Sequence, residues 1–339
     1  MKNIRTIDLF DFNLEKGKKQ EHIALSYQTF GQPIGTAPVI VIHHSISGNS
    51  TVCGRNGWWN GLVGENKTID TNSYTIIAFN IPGNGFGEDY ETLIPNYRDF
   101  TIRDIASIFW EGLFYLKIKT VFSVIGGGLG GAIAWEMAAL QPNRIENLIP
   151  IATDWKTTDR IIANVLIQDQ ILNNSEDPIV EARYFANLFY RNPAYVNQIF
   201  KRTNLEISSI SPIENCVLTN NKCRISGYRL MNHLLLTNDL MRNRRDFSSI
   251  ANTIKANIHL IGIDTGGLFP ADENRITFLK LRKIKPNVFY HQIDSDFGQD
   301  AYLKETERIA YILTPIFKSK KIIIRNKFNY MMGNYFMNT

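Results

Sequence analysis

Cysteine is scarce in this chain: three in 339 residues, Cys53, Cys216 and Cys223, with no CxxC pair among them. Two could bridge only by leaving the third alone, so a disulfide scaffold is excluded, and the thiols read as reduced, as in a cytoplasm. No metal site and no cofactor is suggested. Long apolar runs are also missing. Nothing approaches the roughly 18 residues a membrane span needs, and the opening MKNIRTIDLFDF lacks the apolar stretch of a secretory signal. The expectation is a cytoplasmic protein with no membrane span.

Excess charge is absent from the body of the chain. The net +5 comes from the last residues, where Lys318, Lys320, Lys321, Arg325 and Lys327 stand without an acid, while residues 1–317 hold 32 basic and 32 acidic groups. A balanced body carries no polyanion-binding signature, which argues against a nucleic-acid partner. Internal repeats are lacking too. What is present is an ordinary globular composition, 44% hydrophobic and 20% charged, long enough for one large α/β domain or two smaller ones.

Short β-branched runs alternate with helical stretches, the pattern of βα units around a mostly parallel sheet. Strands are expected at Pro38–His43, Tyr74–Asn80, Val121–Ile125, Asn147–Ala152, Ile258–Ile263 and Val288–Ile293. Helical spacing of apolar residues marks Thr101–Lys117, and Gly130–Leu140 is small and apolar, as a helix packed on a sheet should be. Between Asp154 and Ile250 the alternation gives way to helices, which reads as an inserted cap. The expected organisation is a core in two parts, 1–153 and 251–317, a helical cap at 154–250, and a basic, aromatic tail at 318–339. That tail could meet an anionic surface or a partner, but such ends are more often simply solvated.

The most informative stretch is SVIGGGLGGAIAWEMAAL, residues 123–140: a strand, a glycine-dense turn, then a helix. In an α/β-hydrolase this is the nucleophile elbow, G-x-S-x-G. Here Gly128 stands at the nucleophile position, between Gly126 and Gly130. Gly126, Gly128 and Gly131 also match a dinucleotide loop, but the turn does not follow a first strand, and Asp154, the nearest acid beyond the next strand, comes too late.

Seven motifs, in order, carry a resemblance: HHSISGNS (43–50), GWWNGLVGENKTIDTNSY (57–74), FNIPGNGFG (79–87), FTIRDI (100–105), GGGLGGAIAWEMA (126–138), IDTGGLFPADENR (263–275) and IDSDFGQDAYL (293–303). With these motifs the chain resembles homoserine O-acetyltransferases over nearly its whole length. The resemblance implies an α/β-hydrolase fold, a mostly parallel central sheet flanked by helices with an inserted helical cap. It implies acyl transfer from an acyl-CoA to the homoserine hydroxyl through an acyl-serine. Such chemistry requires a hydroxyl, a histidine base, an orienting carboxylate and backbone donors for the oxyanion.

The resemblance places the family's acid, three residues before a Phe-Pro pair, at Gly266, and its histidine at Gln299 in the triplet Gly298-Gln299-Asp300. Together with Gly128, all three triad positions are substituted. Glycine offers no nucleophile, and a glutamine amide takes no proton near neutral pH. None of the six histidines follows the last strand, and Asp264 lies two residues upstream of Gly266 at a strand end. The backbone donors need no side chain, so the N–H of Leu129 and that of Ile46, in the loop 44–47, are expected to persist.

For ligand binding the resemblance points to Arg183 and Tyr190 in VEARYFANLFYRNP, reading a carboxylate from one helix face, and to Asp300, meeting an amino group. Against this stand plainer roles: a surface ion pair, a core tyrosine and a helix cap. Around IENCVLTNNKCRISGYRLM the match thins to Glu214 and Tyr228. Three smaller features take structural readings. Asp294–Gly298 is a polar turn lacking the terminal glutamate of a calcium loop. Trp58 and Trp59 are packing anchors, and His43 and His44 are core residues.

The leading expectation is a non-catalytic homoserine O-acetyltransferase-like protein that binds a small amino acid such as homoserine. Family enzymes dimerise through the cap, so a homodimer or a heterodimer with an active paralogue is expected. An enzyme using a non-standard mechanism in the same pocket, and a decaying duplicate, are the alternatives.

Overall fold

The computed structural model describes residues 4–86, 92–199 and 221–318. Its strands are β1 (Arg5–Asn13), β2 (Lys19–Gly31), β3 (Val39–His43), β4 (Val63–Gly64), β5 (Ile69–Asp70), β6 (Thr75–Phe79), β7 (Val121–Gly127), β8 (Ile145–Ile151), β9 (Asn257–Ile263) and β10 (Val288–Ile293). Eight of them form one sheet in the order β1-β2-β6-β3-β7-β8-β9-β10, and β4 and β5 pair separately. From β6 to β10 every pairing is parallel. Only β2 runs antiparallel to both its neighbours.

The central strands explain their own place. VIVIH in β3, TIIAF in β6 and VFSVIGG in β7 are buried at every position, as strands covered on both faces must be. One face carries α1 (Ile102–Tyr115) and α2 (Leu129–Leu140), which bury Phe79, Phe109, Trp110 and Trp135. The other face buries Trp59, Tyr74, Phe122 and Phe317, the last from a helix at 306–318. α1 begins at a capping box: Thr101 accepts from the Asp104 N–H, and Asp104 accepts from the Thr101 N–H.

Two differences from the sequence reading have clear causes. β7 runs two residues further than expected, because Gly126 and Gly127 still pair with Pro150 and Ile151 of β8. The glycine run therefore serves the ladder before it turns. The antiparallel β1–β2 pair was not anticipated. Its period-two signal, Ile23, Leu25 and Tyr27, is buried but follows the charged run EKGKKQEH, which masks it.

Between β8 and β9 lie α3 (Asp159–Asn174), α4 (Pro178–Tyr190), α5 (Pro193–Ile199), α6 (Asn221–Leu236) and α7 (Phe247–Thr253). The chain enters and leaves this insertion through a two-stranded neck. The Thr157 N–H donates to Asn238 O at 2.8 Å, and the Leu240 N–H donates to Trp155 O at 3.0 Å. Glu214 and all of the tail beyond Lys318 lie outside the described residues.

A buried ionic cluster ties the insertion's far end to the core. Glu136, 1% exposed, meets Arg103 at 3.2 Å and Arg244 at 2.8 Å, while Glu15 meets Arg103 and Arg242. Charges this buried persist only when paired and hydrogen-bonded. They join β1's connection, α1, α2 and the 242–244 loop.

Candidate functional site

At the end of β7 the chain turns through Gly128, which has φ 54° and ψ −120°, and enters α2. Its N–H donates to Ile151 O at 2.9 Å, and its carbonyl accepts from Gly131 and Ala132. A residue with a Cβ would be strained in this conformation. A Cβ built on Gly128 would stand 2.8 Å from Ser45 Oγ and 3.5 Å from Gln299 Nε2. The fold thus brings together two of the positions singled out in the sequence, Gly128 and Gln299, and adds a third residue, Ser45.

Gln299 sits in a short turn at Gly298–Asp300 after β10, and is 5% exposed. Its Nε2 donates to Ala152 O at 2.7 Å, whereas Oε1 is buried without a partner. Next to it α9 (Ala301–Lys304) carries Tyr302, whose ring covers Gly127 so closely that a Cβ there would overlap it. The Tyr302 hydroxyl is hydrogen-bonded to Ser45, and burial raises its pKa. Trp59, fully buried, donates its indole N–H to Tyr302 O at 2.9 Å and so fixes α9. Trp58 donates to Asn49 O at 2.8 Å.

The nearby imidazoles are committed to structure. His44 Nδ1 donates to Ser45 O at 2.8 Å, and Nε2 accepts from the Ile81 N–H at 3.0 Å. Neither nitrogen is left with a free lone pair. Burial lowers the pKa of His44 to about 4. His43 stacks on Phe109, with ring centroids 5.0 Å apart, and burial, helped by His44, lowers its pKa to about 3. Both rings are neutral at physiological pH.

The backbone donors are in place. Leu129 opens α2, and its N–H has no acceptor among the described residues; the same holds for Ile46, one residue beyond Ser45. Gly266 lies apart from this cluster, on the loop after β9, where an added Cβ would stand 3.0 Å from the carbonyl oxygens of Ile263 and Phe269. Asp264 on the same loop accepts from the N–H groups of Thr265 and Ser295 and holds the β9 and β10 ends together.

The C-terminal end of α4 lies against these loops: Phe189 O packs on Gly267, and Tyr190 O on Gly298. Tyr190 faces a polar cluster inside the insertion. Gln168, fully buried, donates to Asn164 Oδ1 at 2.5 Å and to Tyr190 Oη at 3.4 Å, and accepts from Tyr228 at 2.6 Å and Asn232 at 3.4 Å. Burial pushes the Tyr190 pKa up to about 12. Asp300 lies 3.6 Å from Arg191 Nε. Burial raises its carboxyl pKa, and Arg191 opposes the rise. Arg183, half-buried two turns before Tyr190, has no hydrogen bond or ion pair among the described residues, so the structure does not draw it to Tyr190 or Asp300.

Ser45, Tyr302, Arg191 and the Gln168 cluster escaped the sequence reading. Arg191 lies next to Tyr190 in its motif, and Ser45 and Tyr302 lie inside HHSISGNS and IDSDFGQDAYL, but nothing in the sequence singles them out there. They become neighbours through long-range packing.

The model of the alpha/beta hydrolase fold matches residues 38–169. The chain is 29% identical over 327 residues to the homoserine O-acetyltransferase of Cyclobacterium marinum, covering 89% of this chain and 91% of that protein. It superposes on the homoserine O-acetyltransferase of Bacillus anthracis with a TM-score of 0.79 at 18% identity, covering 94% and 98% of the two chains. It superposes on esterase E22 with a TM-score of 0.76 at 18% identity, covering 93% and 99%. At such identities the superpositions speak for the fold.

Proposed function

We propose, from the premise that this chain is a homoserine O-acetyltransferase-like member of the α/β-hydrolase superfamily, that it is a non-catalytic relative that binds a small amino acid. The observation that carries this reading is the elbow. Where acyl transfer needs a hydroxyl relayed to a base, the chain offers Gly128, the Gln299 amide and two imidazoles, one buried against Phe109 and the other with both nitrogens bonded. A glutamine amide neither takes nor relays a proton at neutral pH. Gly266 removes the orienting carboxylate.

The binding half of the site is better furnished. Arg183 and Tyr190 lie on one face of α4, and Asp300 with Arg191 borders the α4 end. Homoserine, which the names of the Cyclobacterium marinum and Bacillus anthracis proteins carry, is the first ligand to try. Calorimetry should give saturable binding, weakened about tenfold or more by Arg183→Ala; a flat trace removes the amino-acid reading. Purified protein with homoserine and acetyl-CoA or succinyl-CoA should release no thiol above background. A self-dimer, or a dimer with an active paralogue in methionine biosynthesis, fits the resemblance, and light scattering of the pure chain tests the first.

One observation favours a second reading, an acyltransferase or hydrolase of non-standard mechanism: a hydroxyl, Ser45 Oγ, does stand at the elbow. Its polar neighbour is Tyr302, whose raised pKa makes it a poor base. Thiol or acid release from an acyl substrate, abolished by Ser45→Ala, would establish that enzyme in place of the inert protein.

A further inference from the structure

The two outer strands of the eight-stranded sheet are finished differently. β1 carries Arg5, Asp8 and Asp11, and Asp11 leaves the extended conformation at φ 57°. Charges and kinks of this kind keep an edge strand from pairing with another chain. β10, at the opposite edge, reads VFYHQI, without Asp, Glu, Lys, Arg or Pro, and its register with β9 is unbroken from Val288 to Ile293. Among the described residues no strand pairs with its outer side.

The ladder fixes which groups face outward. Asn287 O accepts from the Ile258 N–H and Ile293 O from the Asp264 N–H, so the odd-numbered residues turn their backbone polar groups to β9. Alternation along the strand then points the N–H and C=O of Val288, Tyr290 and Gln292 away from the sheet. Such a row of donors and acceptors is met by another extended strand.

A second copy of β10 fits that row. In the antiparallel register centred on Tyr290, Val288 faces Gln292 of the other copy and Tyr290 faces its own equivalent, so every outward group is used on both sides. Phe289, 44% exposed, then stands opposite His291 of the other copy. His259 stacks on both Phe289 and His291, which places them on one face of the sheet. His291 lines a cleft of about 570 Å³ between the strand and the helix at 306–318, with Arg308, Tyr311 and Ile312 among its walls. Each copy's Phe289 thus meets the other's cleft, where Tyr311 is 84% exposed.

Charge is complementary along the same axis. Exposed Arg282 and Lys283 precede β10, and exposed Asp294 and Asp296 follow it. Antiparallel pairing lays the basic end of each copy on the acidic end of the other: Asp294 falls opposite Pro286, whose carbonyl accepts from Arg282. A parallel strand supplied by residues 319–339 of the same chain fits less well. α8 (Ala271–Arg282) crosses from β9 to β10 on the face of Leu281, whereas the helix at 306–318 packs Ile309, Leu313 and Phe317 on the other. Continuing outward from that helix would give a crossover of the opposite, rare hand.

We infer that two copies of this chain pair through β10, antiparallel about Tyr290, into one continuous sheet. This surface is distinct from the cap, and the inference stands apart from the amino-acid-binding reading.

The test is sedimentation of the full chain over a range of concentrations, with hydrogen exchange read at single amides. A reversible dimer is expected, with the amides of Tyr290 and Gln292 better protected as concentration rises. Gln292→Pro removes an outward N–H and leaves the β9 ladder whole. It should weaken the dimer about tenfold or more, since the two-fold axis loses the bond twice, whereas Gln292→Ala should change it by less than about threefold. Asp294→Lys and Arg282→Glu should each weaken the dimer, and the two together should restore most of the loss. Should Gln292→Pro fail to fold, the charge exchange decides alone. A chain that stays monomeric overturns the inference. So does a dimer indifferent to all of these substitutions, which sits on another surface. Protection of those amides that ignores concentration also overturns it, because the edge is then covered within the chain.

Discussion

Gly128 and Ser45 exclude one another's side chains: a Cβ on Gly128 would stand 2.8 Å from the Ser45 hydroxyl oxygen. The hydroxyl that acyl transfer would require at residue 128 has its space taken from the neighbouring loop. Gly128→Ser should therefore lower the unfolding free energy by about 1–3 kcal/mol, since the φ of 54° strains any residue with a Cβ. Adding Ser45→Ala should recover the part due to the contact and leave the part due to the backbone. Urea midpoints of the two single variants and the double variant check this; a Gly128→Ser chain as stable as the parent counts against it.

The buried ion pairs give a second expectation. Glu136, 1% exposed, faces Arg103 and Arg244 together. Burial raises its pKa, and the two arginines oppose that rise. Removing the carboxylate alone leaves two guanidinium groups facing each other in the interior. Glu136→Ala should cost about 3–5 kcal/mol, and Glu136→Gln, which keeps hydrogen-bond acceptors, should cost less. Denaturant titrations of both variants measure the difference, and equal, small losses would mean that solvent reaches the cluster.

The reach of the sequence can be judged residue by residue. Val288–Ile293 is the strand that was read, because a short β-branched run between turn residues leaves little choice. The end of β7 was misplaced, because glycines that pair in a ladder look the same as glycines that turn. Gly128 and Gln299 could be paired by motif, and lie close together. Ser45 and Tyr302 could not: the first follows β3, the second opens α9, and only the sheet order brings β3 beside β7. The hydrogen bond that holds Gln299 was equally hidden, since its acceptor is the carbonyl of Ala152, a residue held at φ 48°.

Asp154, at the insertion's neck, gives a pH expectation whose sign can be worked through. Its carboxyl is buried, accepts from the Trp155 N–H, and lies 3.0 Å from Thr277 Oγ1 through both oxygens. Burial, opposed by those hydrogen bonds, raises its pKa from 3.8 to about 7. Between those values the folded chain holds a proton that the unfolded chain has lost, so stability from this group falls as pH rises through the window and is flat above it. His43 and His44 act in the opposite sense. Their lowered values, about 3 and about 4, make the unfolded chain take up protons below its own histidine pKa, so stability falls there as pH falls. The total curve mixes the two, and only the difference between the parent and Asp154→Asn isolates the carboxyl. That variant should gain on the parent by up to about 1.4 kcal/mol per pH unit between pH 4 and 7, read from denaturation midpoints at half-unit steps. A difference that does not change with pH would mean that Asp154 ionises as freely in the folded chain as in the unfolded one.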